Sequence, residues 1–448
     1  MKESKKNQNS ERGSLSRRTF FRNSAVLTSG LIASQLPIDV SAYVAGDDQL
    51  KVALIGCGGR GTGAAVQALT ADKNVQLVAM ADAFQDRLEK SLNAIKTELA
   101  DDQGKIKVSD DHKFIGFEAY KEAIDLADVV ILTTPPGFRP YHFEYAVSKD
   151  KHIFMEKPLA TDVPGIRKMI ETAKIAKEKK LNVVIGLQRH YENSYLQVAK
   201  RLHDNQFGDI VSGQVYWNGS GVWVKPREAN QTEMEYQMRN WYYFNWLCGD
   251  HILEQHIHNI DVANWFIGDH PATAQGMGGR QVRTGKEYGE IFDHHFVEFT
   301  YPSGAVISSQ CRHQPKTMSR IKEEFQTTKG SISTKNGQGL LKNYDGSVLY
   351  DHDDKNDINP YQVEHNELFA SIRSGGVISD TDYGINSTMT AILGRMATYS
   401  GELLTWEDAM KSNISLMPEK LAWDAMPQSL PDKDGFYTIP MPGVTRVI

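Results

Sequence analysis

The first half of the chain shows short apolar runs separated by stretches of helical periodicity. The runs are LKVALI, VQLVAMAD, ADVVILTT and KHIFM, and they have the nearly continuous apolar character of strands buried on both faces of a sheet. A helical pattern at about 162–179 leads to a further apolar run, NVVIG. Because strands alternate with helices, the sequence predicts a doubly wound parallel sheet with helices on both sides.

The second half of the chain alternates polar and apolar residues, which is typical of antiparallel strands. The stretch HHFVEFTYPSGAVISSQCRH, residues 294–313, predicts two strands around the turn PSG. The stretch TTKGSIST repeats this pattern, and two helices are predicted later, at about 362–374 and 384–400. The predicted fold class is therefore α/β, with an N-terminal parallel sheet followed by an α/β domain with a mainly antiparallel sheet.

A glycine motif follows the first predicted strand directly. Gly56, Gly58 and Gly61 form G-x-G-x-x-G at the start of a helical pattern, and the second strand ends at Asp82, 21 residues after Gly61. Such glycines allow a tight turn, a close approach of pyrophosphate and close packing of helix on strand. A carboxylate at Asp82 would accept both ribose hydroxyls and repel a 2′-phosphate, so a Rossmann domain that binds NAD rather than NADP is predicted.

Two further motifs lie at predicted strand ends, where doubly wound sheets bind their ligands. The first contains Thr133, Thr134 and Pro135, and the second contains Glu156 and Lys157. The ammonium of Lys157 would stabilise an alkoxide as hydride leaves a neighbouring carbon. The residues predicted to contact the cofactor are Gly56, Gly58, Arg60, Gly61, Asp82, Thr133, Thr134, Pro135, Glu156 and Lys157.

A histidine-rich helix is predicted over residues 249–268. At about 100° per residue, His251, Glu254, His258 and Asp261 share one face of this helix. Glu254 and His258 lie one turn apart, close enough to interact. The alternative is a metal site of His251, Glu254 and His258, but the spacing is not that of H-E-x-x-H, and we expect no metal.

Aromatic residues are concentrated before this helix. Four of the seven tryptophans lie between residues 217 and 246, and tyrosines are interleaved with Arg239 and Asn240 in YQMRNWYYFNW. Flat aromatic faces beside amide and guanidinium groups suit sugar rings, so a carbohydrate site is predicted. Core packing beneath a loop is the alternative.

Composition narrows the classes of partner. The 448 residues carry a net charge of −6, and residues 1–45 contribute +4 of it (seven Lys or Arg against three acids), which leaves −10 for the rest. An acidic body argues against nucleic acid or an anionic membrane as partner. The three cysteines are far apart and form neither a disulfide framework nor a zinc signature.

The N-terminal segment has the order of features of an export signal. The stretch SRRTFFR is close to a twin-arginine pattern, a weakly apolar run follows, and small residues offer cleavage after Ala42 or Ala45. The run is too short and too polar for a membrane span, and none is expected elsewhere. A periplasmic location is predicted. Because the twin-arginine route carries folded proteins, it suits a chain that loads its cofactor before export.

Taken together, these motifs resemble the glucose–fructose oxidoreductase / inositol dehydrogenase / MocA (Gfo/Idh/MocA) family. The resemblance rests on the glycine fingerprint, Asp82, TTPP, EKP and GLQRHY, and on EHNELFASIRSG and LGRMATYSGELLTWEDAM, and it covers residues 50–412. It implies a second domain with a large open sheet that often forms the oligomer interface, and hence a homo-oligomer, a dimer or a tetramer. The domains expected are a signal segment (1–45), a Rossmann domain (46–170), a substrate domain (171–412) and an extended arm (413–448).

The resemblance also implies roles for individual residues. Lys157 would lie beside the nicotinamide, and an aspartate and a histidine of the family map onto Glu254 and His258, with Glu254 one methylene longer than the aspartate. His258 is the expected general base, since its ordinary pKa lies near operating pH. The residues expected to contact substrate are Arg189, His190, Trp223, Tyr236, Arg239, Trp241 and His251.

The predicted function is an exported oxidoreductase that moves hydride between a tightly bound nicotinamide cofactor and a hydroxyl of a sugar, polyol or glycoside. One alternative is NAD-dependent cleavage of glycosides by transient oxidation and elimination, an activity that the family includes. A second alternative is a non-catalytic sugar-binding protein on the same scaffold.

Overall fold

The computed structural model describes residues 48–353 and 355–448. The predicted export signal over residues 1–45 lies outside the described residues. Within the described part of the chain there are two sheets, one of six strands and one of nine.

The first sheet is parallel throughout, as its apolar runs predict. Its order is β3-β2-β1-β4-β5-β6, so the direction of strand progression reverses between β1 and β4. In an open α/β sheet, ligands bind in the crevice at such a reversal. The strands are β1 Leu50–Ile55, β2 Val75–Asp82, β3 Lys113–Ile115, β4 Val129–Leu132, β5 His152–Met155 and β6 Val183–Ile185.

Helices cover both faces of this sheet because its strands are apolar on both sides. Val129, Val130, Ile131 and Leu132 of β4 are all fully buried. The helix predicted at about 162–179 begins where the carboxylate of Asp162 accepts the Gly165 N–H at 2.8 Å. The helices up to this point are α1 Gly59–Ala71, α2 Gln85–Glu98, α3 Ala119–Asp125, α4 Arg139–Ser148 and α5 Val163–Glu178.

The second sheet is antiparallel except where β7 pairs with β10 in parallel. Its order is β14-β13-β12-β11-β7-β10-β9-β8-β15. Both predicted hairpins are present, as β9–β10 and β11–β12. The strands are β7 Ile210–Gly219, β8 Thr273–Gly279, β9 His294–Thr300, β10 Val306–His313, β11 Arg320–Thr327, β12 Gly330–Lys335, β13 Gln338–Asn343, β14 Val348–Asp353 and β15 Leu404–Thr405.

The remaining helices pack between the two sheets and around them. The long helix α12 is buried along nearly its whole length, because it contacts β8 and β9 on one side and α5 on the other. One apolar core therefore runs through both halves; it holds Met155 of β5 and Phe299 of β9. These helices are α6 Asn193–His203, α7 Glu233–Arg239, α8 Asn245–Cys248, α9 His251–Glu254, α10 Ile257–Ile267, α11 Pro360–Ser374, α12 Thr381–Ser400 and α13 Trp406–Ala409.

The prediction of a single helix over residues 249–268 is wrong in one respect. The structure has two helices there, separated by Gln255 and His256. The break rotates α9 relative to α10, so the expected common face of four polar residues does not form. His256 turns inward and hydrogen-bonds Ser309 (Nε2 to Oγ 2.7 Å).

The C-terminal residues 413–448 form neither helix nor strand, and they run over the surface of both halves. No helix of the described residues is long and apolar enough to cross a membrane.

Candidate active site

A cavity of about 720 Å³ opens at the carboxyl edge of the first sheet. Its walls come from the loops after β1, β2, β4 and β5 and from the segments around α7, α9 and α10. Both halves of the chain therefore build one site. All ten residues predicted to contact the cofactor line it: Gly56, Gly58, Arg60, Gly61, Asp82, Thr133, Thr134, Pro135, Glu156 and Lys157.

The three motif glycines are required for three different reasons. Gly56 has φ +96°, and a Cβ there would lie 2.5 Å from the Thr134 nitrogen. A Cβ on Gly61 would lie 2.1 Å from the carbonyl oxygen of Gly56, so α1 packs directly on the turn. A Cβ on Gly58 would meet nothing within 4 Å. The open space beside Gly58, at the first turn of α1, is where a pyrophosphate would lie.

Asp82 ends β2 and faces the same cavity. Its Oδ2 accepts the Cys57 N–H at 2.6 Å and its Oδ1 accepts the Phe84 N–H at 2.9 Å. Burial raises the pKa of this carboxyl, while the two backbone donors act in the opposite direction. Each oxygen keeps a lone pair for one ribose hydroxyl, so the carboxylate fits the adenosine ribose of a dinucleotide.

Glu156 and Arg60 form an ion pair beside the glycine turn. Arg60 Nε lies 2.5 Å from Glu156 Oε1, and its guanidinium also lies over the ring of Tyr361 at 4.9 Å. A Cβ on Gly186 would lie 2.6 Å from the Glu156 carboxylate, so only glycine leaves room for this pair. The arrangement holds the loop after β5, and therefore Lys157, against α1.

Lys157 reaches across to the second half of the chain. Its Nζ donates to the carbonyl oxygen of Glu254 at 2.5 Å and lies 3.1 Å from Glu254 Oε1. The side chain is largely buried, with 11% of its surface exposed. Both acceptors come from the last residue of α9, so the ammonium is held at one point by a backbone and a side-chain oxygen.

His258 lines the cavity from the first turn of α10. Its ring stacks on Trp217 with centroids 5.9 Å apart, and its Nδ1 is buried without a hydrogen-bond partner among the described residues. Burial lowers the pKa of His258 well below its ordinary value, and the positive charge of Lys157 lowers it further. The imidazole is therefore neutral near pH 7, and its pKa is lower than the near-neutral value expected from the sequence.

The aromatic segment contributes to the wall next to His258. Trp223 and Trp241 line the cavity in an edge-to-face pair with centroids 5.8 Å apart. Arg239 also lines it, with one guanidinium nitrogen 2.9 Å from both carboxylate oxygens of Asp86. Apolar ring faces thus adjoin the two polar groups, Lys157 and His258, in the same cavity.

Four residues expected to contact substrate are absent from the cavity wall, and three of them pair with buried acids. Arg189 is fully buried and its Nη1 lies 2.5 Å from Glu323 Oε1. His190 stacks between aromatic rings and its Nε2 donates to Asp261 Oδ2 at 2.8 Å. Asp261 is buried as well, because its carboxylate accepts from His190 and from the Ser387 hydroxyl at 2.7 Å.

Tyr236 and His251 lie in the interior. Tyr236 is buried in the aromatic cluster behind Trp241, and Arg227 covers its ring at 4.0 Å. His251 is fully buried and its Nδ1 donates to Asp250 Oδ1 at 2.7 Å. His251 therefore does not join Glu254 and His258 in the metal arrangement weighed from the sequence.

A different buried group, Asp250, His251 and His295, has ligand-type atoms within 4.8 Å of one another. The carboxylate of Asp250 already accepts the Phe292 N–H at 3.0 Å and the Tyr399 hydroxyl at 2.5 Å, besides His251. These hydrogen bonds account for both of its oxygens, so we treat the group as a structural centre behind α9.

Several cavity residues were not identified from the sequence. Gln255 lies in the unexpected break between α9 and α10, and its Oε1 accepts from His313 Nε2 at 2.8 Å. No periodic signal marks it. Trp217 lies in β7 and stacks on His258, but the burial along β7 does not alternate regularly enough to have indicated it. Other such residues include Phe84, Arg87, Phe117, Tyr120, Lys225, Met238 and Tyr361.

Two family models match the chain. The model described as an oxidoreductase family with an NAD-binding Rossmann fold matches residues 50–185, and the GFO/IDH/MocA C-terminal domain model matches residues 195–333. The matched regions cover the first sheet and most of the second. A nicotinamide dinucleotide is thus the group that the glycine turn and Asp82 fit.

Curated relatives match over part of their length. The 2,7-anhydro-N-acetylneuraminate hydratase of Escherichia coli is 25% identical over 46% of this chain and 54% of the relative. The inositol 2-dehydrogenase/D-chiro-inositol 3-dehydrogenase of Lactiplantibacillus plantarum is 25% identical over 58% of this chain and 64% of the relative. The chain spans less than two thirds of the length of these two relatives.

One solved structure matches this chain over the whole length of the solved chain. The aldose–aldose oxidoreductase of Caulobacter crescentus, determined with glycerol, has a TM-score of 0.63 and 16% identity, over 80% of this chain and all of that chain. At this identity the likeness establishes the fold.

Proposed function

The chain belongs to the GFO/IDH/MocA oxidoreductase family, and from this premise we propose that it transfers hydride between a nicotinamide cofactor and a hydroxyl-bearing carbon of a sugar, polyol or glycoside. The observation that carries the proposal is that Lys157 and His258 line one cavity with the glycine turn and Asp82. A cation and a neutral imidazole beside a dinucleotide cradle are the groups that alcohol oxidation requires.

The residues of this chain handle the proton and the charge. When bound, the nicotinamide supplies the acceptor for the hydride. His258 accepts the proton of the hydroxyl as the C–H bond breaks and a carbonyl forms. The ammonium of Lys157, held by Glu254, stabilises the negative charge that builds on the oxygen, and in the reverse direction His258 returns the proton.

We propose NAD as the cofactor. Asp82 is hydrogen-bonded to two backbone N–H groups and lies at the end of β2, where a carboxylate meets the adenosine ribose. A 2′-phosphate placed there would meet a buried negative charge. Arg87 also lines the cavity, and its positive charge lowers the pKa of the Asp82 carboxyl, which keeps that carboxylate ionised.

The substrate class follows from the walls opposite the dinucleotide cradle. Trp217, Trp223 and Trp241 present ring surface, while Gln255 and Lys225 add polar groups. Sugars and cyclic polyols combine an apolar face with a hydroxylated rim, and this mixture of walls suits them. The dehydrogenase relative is named for inositol, a cyclic polyol, which supports the same class.

A test combines nucleotide analysis with a substrate panel. Mass spectrometry of the nucleotide released from the denatured protein should identify NAD, and incubation with sugars, inositols and aryl glycosides should yield a keto product. The variants Lys157→Ala and His258→Ala should retain nucleotide and lose turnover by about 10²–10⁴-fold. The matched control is Lys200→Ala on the exposed face of α6, which should keep full activity. Full activity of either site variant contradicts the assignment.

A second candidate is cleavage of glycosides without net oxidation. Transient oxidation would acidify the proton beside the new carbonyl, elimination would release the leaving group, and addition of water and re-reduction would complete the cycle. The hydratase relative, whose name denotes a reaction without net redox change, favours this alternative. Released sugar from an aryl glycoside identifies cleavage, and a keto glycoside identifies oxidation. Absence of both products and of any affinity for NAD would indicate a non-catalytic sugar-binding protein.

Export and assembly are proposed on separate grounds. The twin-arginine pattern at residues 16–22 supports transport of the folded, cofactor-loaded protein to the periplasm. Free nicotinamide cofactor is scarce there, so a cofactor that stays bound and is oxidised and reduced in place suits that compartment.

The large open sheet of the second half supports a homo-oligomer, a dimer or a tetramer, and light scattering of the purified protein tests it.

A further inference from the structure

The C-terminal residues 413–437 lie against the end of the cavity where Asp82 is located. Trp423 contacts two phenylalanine rings, Phe84 at 5.1 Å and Phe117 at 4.5 Å between centroids. Both phenylalanines line the cavity, in the loops that follow β2 and β3. The tryptophan itself does not line it. It therefore packs behind the loops that form this part of the wall.

The loop after β2 is also held from the second half of the chain. The guanidinium of Arg239, at the end of α7, lies 3.9 Å from the centroid of the Phe84 ring, and it pairs with Asp86. Phe84 thus has Arg239 and Trp423 as neighbours. The backbone N–H of Phe84 donates to Asp82, so a shift of this loop would move the carboxylate as well.

The segment that carries Trp423 is anchored on both sides. Before it, the Leu416 N–H donates to Asp162 Oδ2 at 2.7 Å, next to α5. After it, the carbonyl of Ser429 accepts from Gln237 Nε2 at 2.7 Å, and the Tyr437 hydroxyl lies 2.5 Å from Glu233 Oε1. Gln237 and Glu233 belong to α7, the helix that also carries Arg239. The tryptophan is therefore fixed between the first sheet and α7.

The ligand beside these loops follows from their position. A carboxylate at the end of the second strand of a Rossmann sheet meets the adenosine ribose, so the loops next to Asp82 border the adenosine half of a dinucleotide. A dinucleotide whose ribose is bound by Asp82 would contact these loops. Contacts that hold the loops in place would therefore slow its release.

We infer that Trp423 and Arg239 form a clasp on Phe84 and Phe117 that retains the adenosine half of the cofactor. The inference rests on the proposed function, since it takes a nicotinamide dinucleotide as the ligand. Trp423 and Arg239 are positioning residues: they fix the two phenylalanine loops, and through Phe84 they fix Asp82. The first half of the chain provides most of the cofactor site. The clasp makes retention of the cofactor depend also on the C-terminal segment and on α7 of the second half.

The dissociation rate of NADH measures the clasp directly. The full chain is loaded with NADH, and the loss of NADH fluorescence is followed after mixing with an excess of NAD. Trp423→Ala and Arg239→Ala should each raise the dissociation rate by about tenfold, the loss expected for one aromatic or cation–π contact that orders a loop. Trp423→Phe should restore most of the slow rate.

The matched control is Met426→Ala, which changes an exposed side chain of the same segment and should leave the rate unchanged. Two fragments locate the effect. Binding of ADP-ribose, which contains the adenosine half, should weaken in Trp423→Ala, whereas binding of nicotinamide mononucleotide should not change. If Trp423→Ala fails to fold, Arg239→Lys removes the planar stacking on Phe84 at a partly exposed position and serves in its place.

The outcomes separate the two proposals. A wild-type chain that binds no dinucleotide overturns the proposed function and the clasp together. Binding in the wild type with dissociation from Trp423→Ala and Arg239→Lys within about twofold of the wild-type rate overturns the clasp alone. Equal weakening of ADP-ribose and nicotinamide mononucleotide assigns Trp423 a general structural role and also overturns it.

Discussion

Lys157 is the residue whose surroundings are most specific. Its ammonium meets two oxygens of Glu254, one from the backbone and one from the side chain. The backbone contact is available to any residue at position 254, whereas the carboxylate adds a charge. The longer side chain of glutamate, compared with the aspartate of the family pattern, is accommodated because it turns back onto Lys157.

Removing only the charge of Glu254 tests this account. In Glu254→Gln the amide oxygen replaces the carboxylate, and the backbone contact to Lys157 remains. We expect kcat to fall by about tenfold, which corresponds to about 1.4 kcal/mol, with little change in nucleotide affinity. Steady-state kinetics and NADH titration measure both quantities. Unchanged kcat would show that the backbone carbonyl alone orients the ammonium.

Buried histidines make the folded chain sensitive to acid. Burial lowers the pKa of His142 and of His256 from 6.5 to about 3, and each is buried in the folded state. Between pH 3 and pH 6.5 the unfolded chain binds more protons than the folded chain. The contribution of these two histidines to the free energy of unfolding is therefore complete above pH 6.5 and is lost as the pH falls.

The free energy of unfolding should therefore decrease as the pH is lowered from about 6.5 toward 3, by about 1.4 kcal/mol per pH unit for each buried histidine. The melting temperature should decrease with it. His142→Asn keeps a polar partner for the Thr134 hydroxyl and removes one titrating group, so the slope should flatten. The half-buried His270 supplies the control, and His270→Asn should leave the slope nearly unchanged. Equal slopes for all three proteins contradict the assignment to His142.

All ten residues predicted to contact the cofactor line the cavity, whereas only three of the seven predicted to contact substrate do. Each predicted cofactor residue lies at a strand end or in the glycine turn, and parallel strands bring those positions to one edge by geometry alone. Arg189, His190 and His251 instead pair with Glu323, Asp261 and Asp250, and the sequence pattern around each of them gives no sign of that partner. Their burial depends on tertiary contacts that periodicity does not encode.

At the scale of elements, the turn between β1 and α1 contains one glycine that packing requires, Gly61, and one that only ligand binding would require, Gly58. Gly58 has φ −78° and ψ −179°, a conformation open to any residue, and a Cβ there meets no protein atom within 4 Å. A Cβ on Gly61, in contrast, would lie 2.1 Å from the carbonyl oxygen of Gly56. The same substitution at these two positions should therefore have different effects.

Gly58→Ala should fold with an unchanged melting temperature in the absence of nucleotide and should lose affinity for NAD, because the methyl group enters the pyrophosphate space. Gly61→Ala should lose stability as well, since α1 must move away from the turn. Thermal unfolding and NAD titration distinguish the two. Normal NAD affinity in Gly58→Ala would place the pyrophosphate elsewhere.

The broken helix between residues 249 and 268 shows the limit of periodic patterns. The apolar positions continue at helical spacing through the break, so the sequence predicts one helix. The chain instead begins α9 at Asp250, with φ +75°, and its buried carboxylate fixes the start of the helix through His251, Phe292 and Tyr399. Phe292 and Tyr399 are distant in the sequence, so no local pattern indicates these contacts at the start of α9.

Asp250→Asn should accordingly destabilise the protein by about 3–5 kcal/mol, the range for removing one partner of a buried charged network. Asparagine tolerates the positive φ, so the loss reports on the charge and its hydrogen bonds. Urea denaturation measures it, with the exposed Asp269→Asn as the control. A loss below about 1 kcal/mol would show that the network does not depend on the charge.

At the scale of the whole molecule, local patterns predicted the two kinds of sheet but not the strand order of the second sheet. Strand–helix repeats predicted the parallel sheet, and period-two patterns predicted the hairpins of the second sheet. The order of strands in the nine-stranded sheet, including the parallel pair of β7 and β10, depends on long-range pairing that no local pattern specifies.

The proposed export by the twin-arginine route concerns the whole chain and is tested in cells. Replacing Arg17 and Arg18 by lysine should retain the protein in the cytoplasm, because the twin-arginine route depends on both side chains. Fractionation followed by immunoblotting of the periplasm measures the change, and Lys5→Arg and Lys6→Arg serve as controls that keep the charge. Periplasmic protein in the double lysine variant would exclude this route.

The bond from Lys157 to the carbonyl of Glu254 joins two positions that are 97 residues apart in the sequence. The lysine follows β5 of the first sheet, whereas both of its acceptors belong to the second half of the chain. A chain that stopped after the first sheet would keep the glycine turn and Asp82 but would lack both acceptors of this ammonium. The placement of Lys157 therefore depends on completion of the second half.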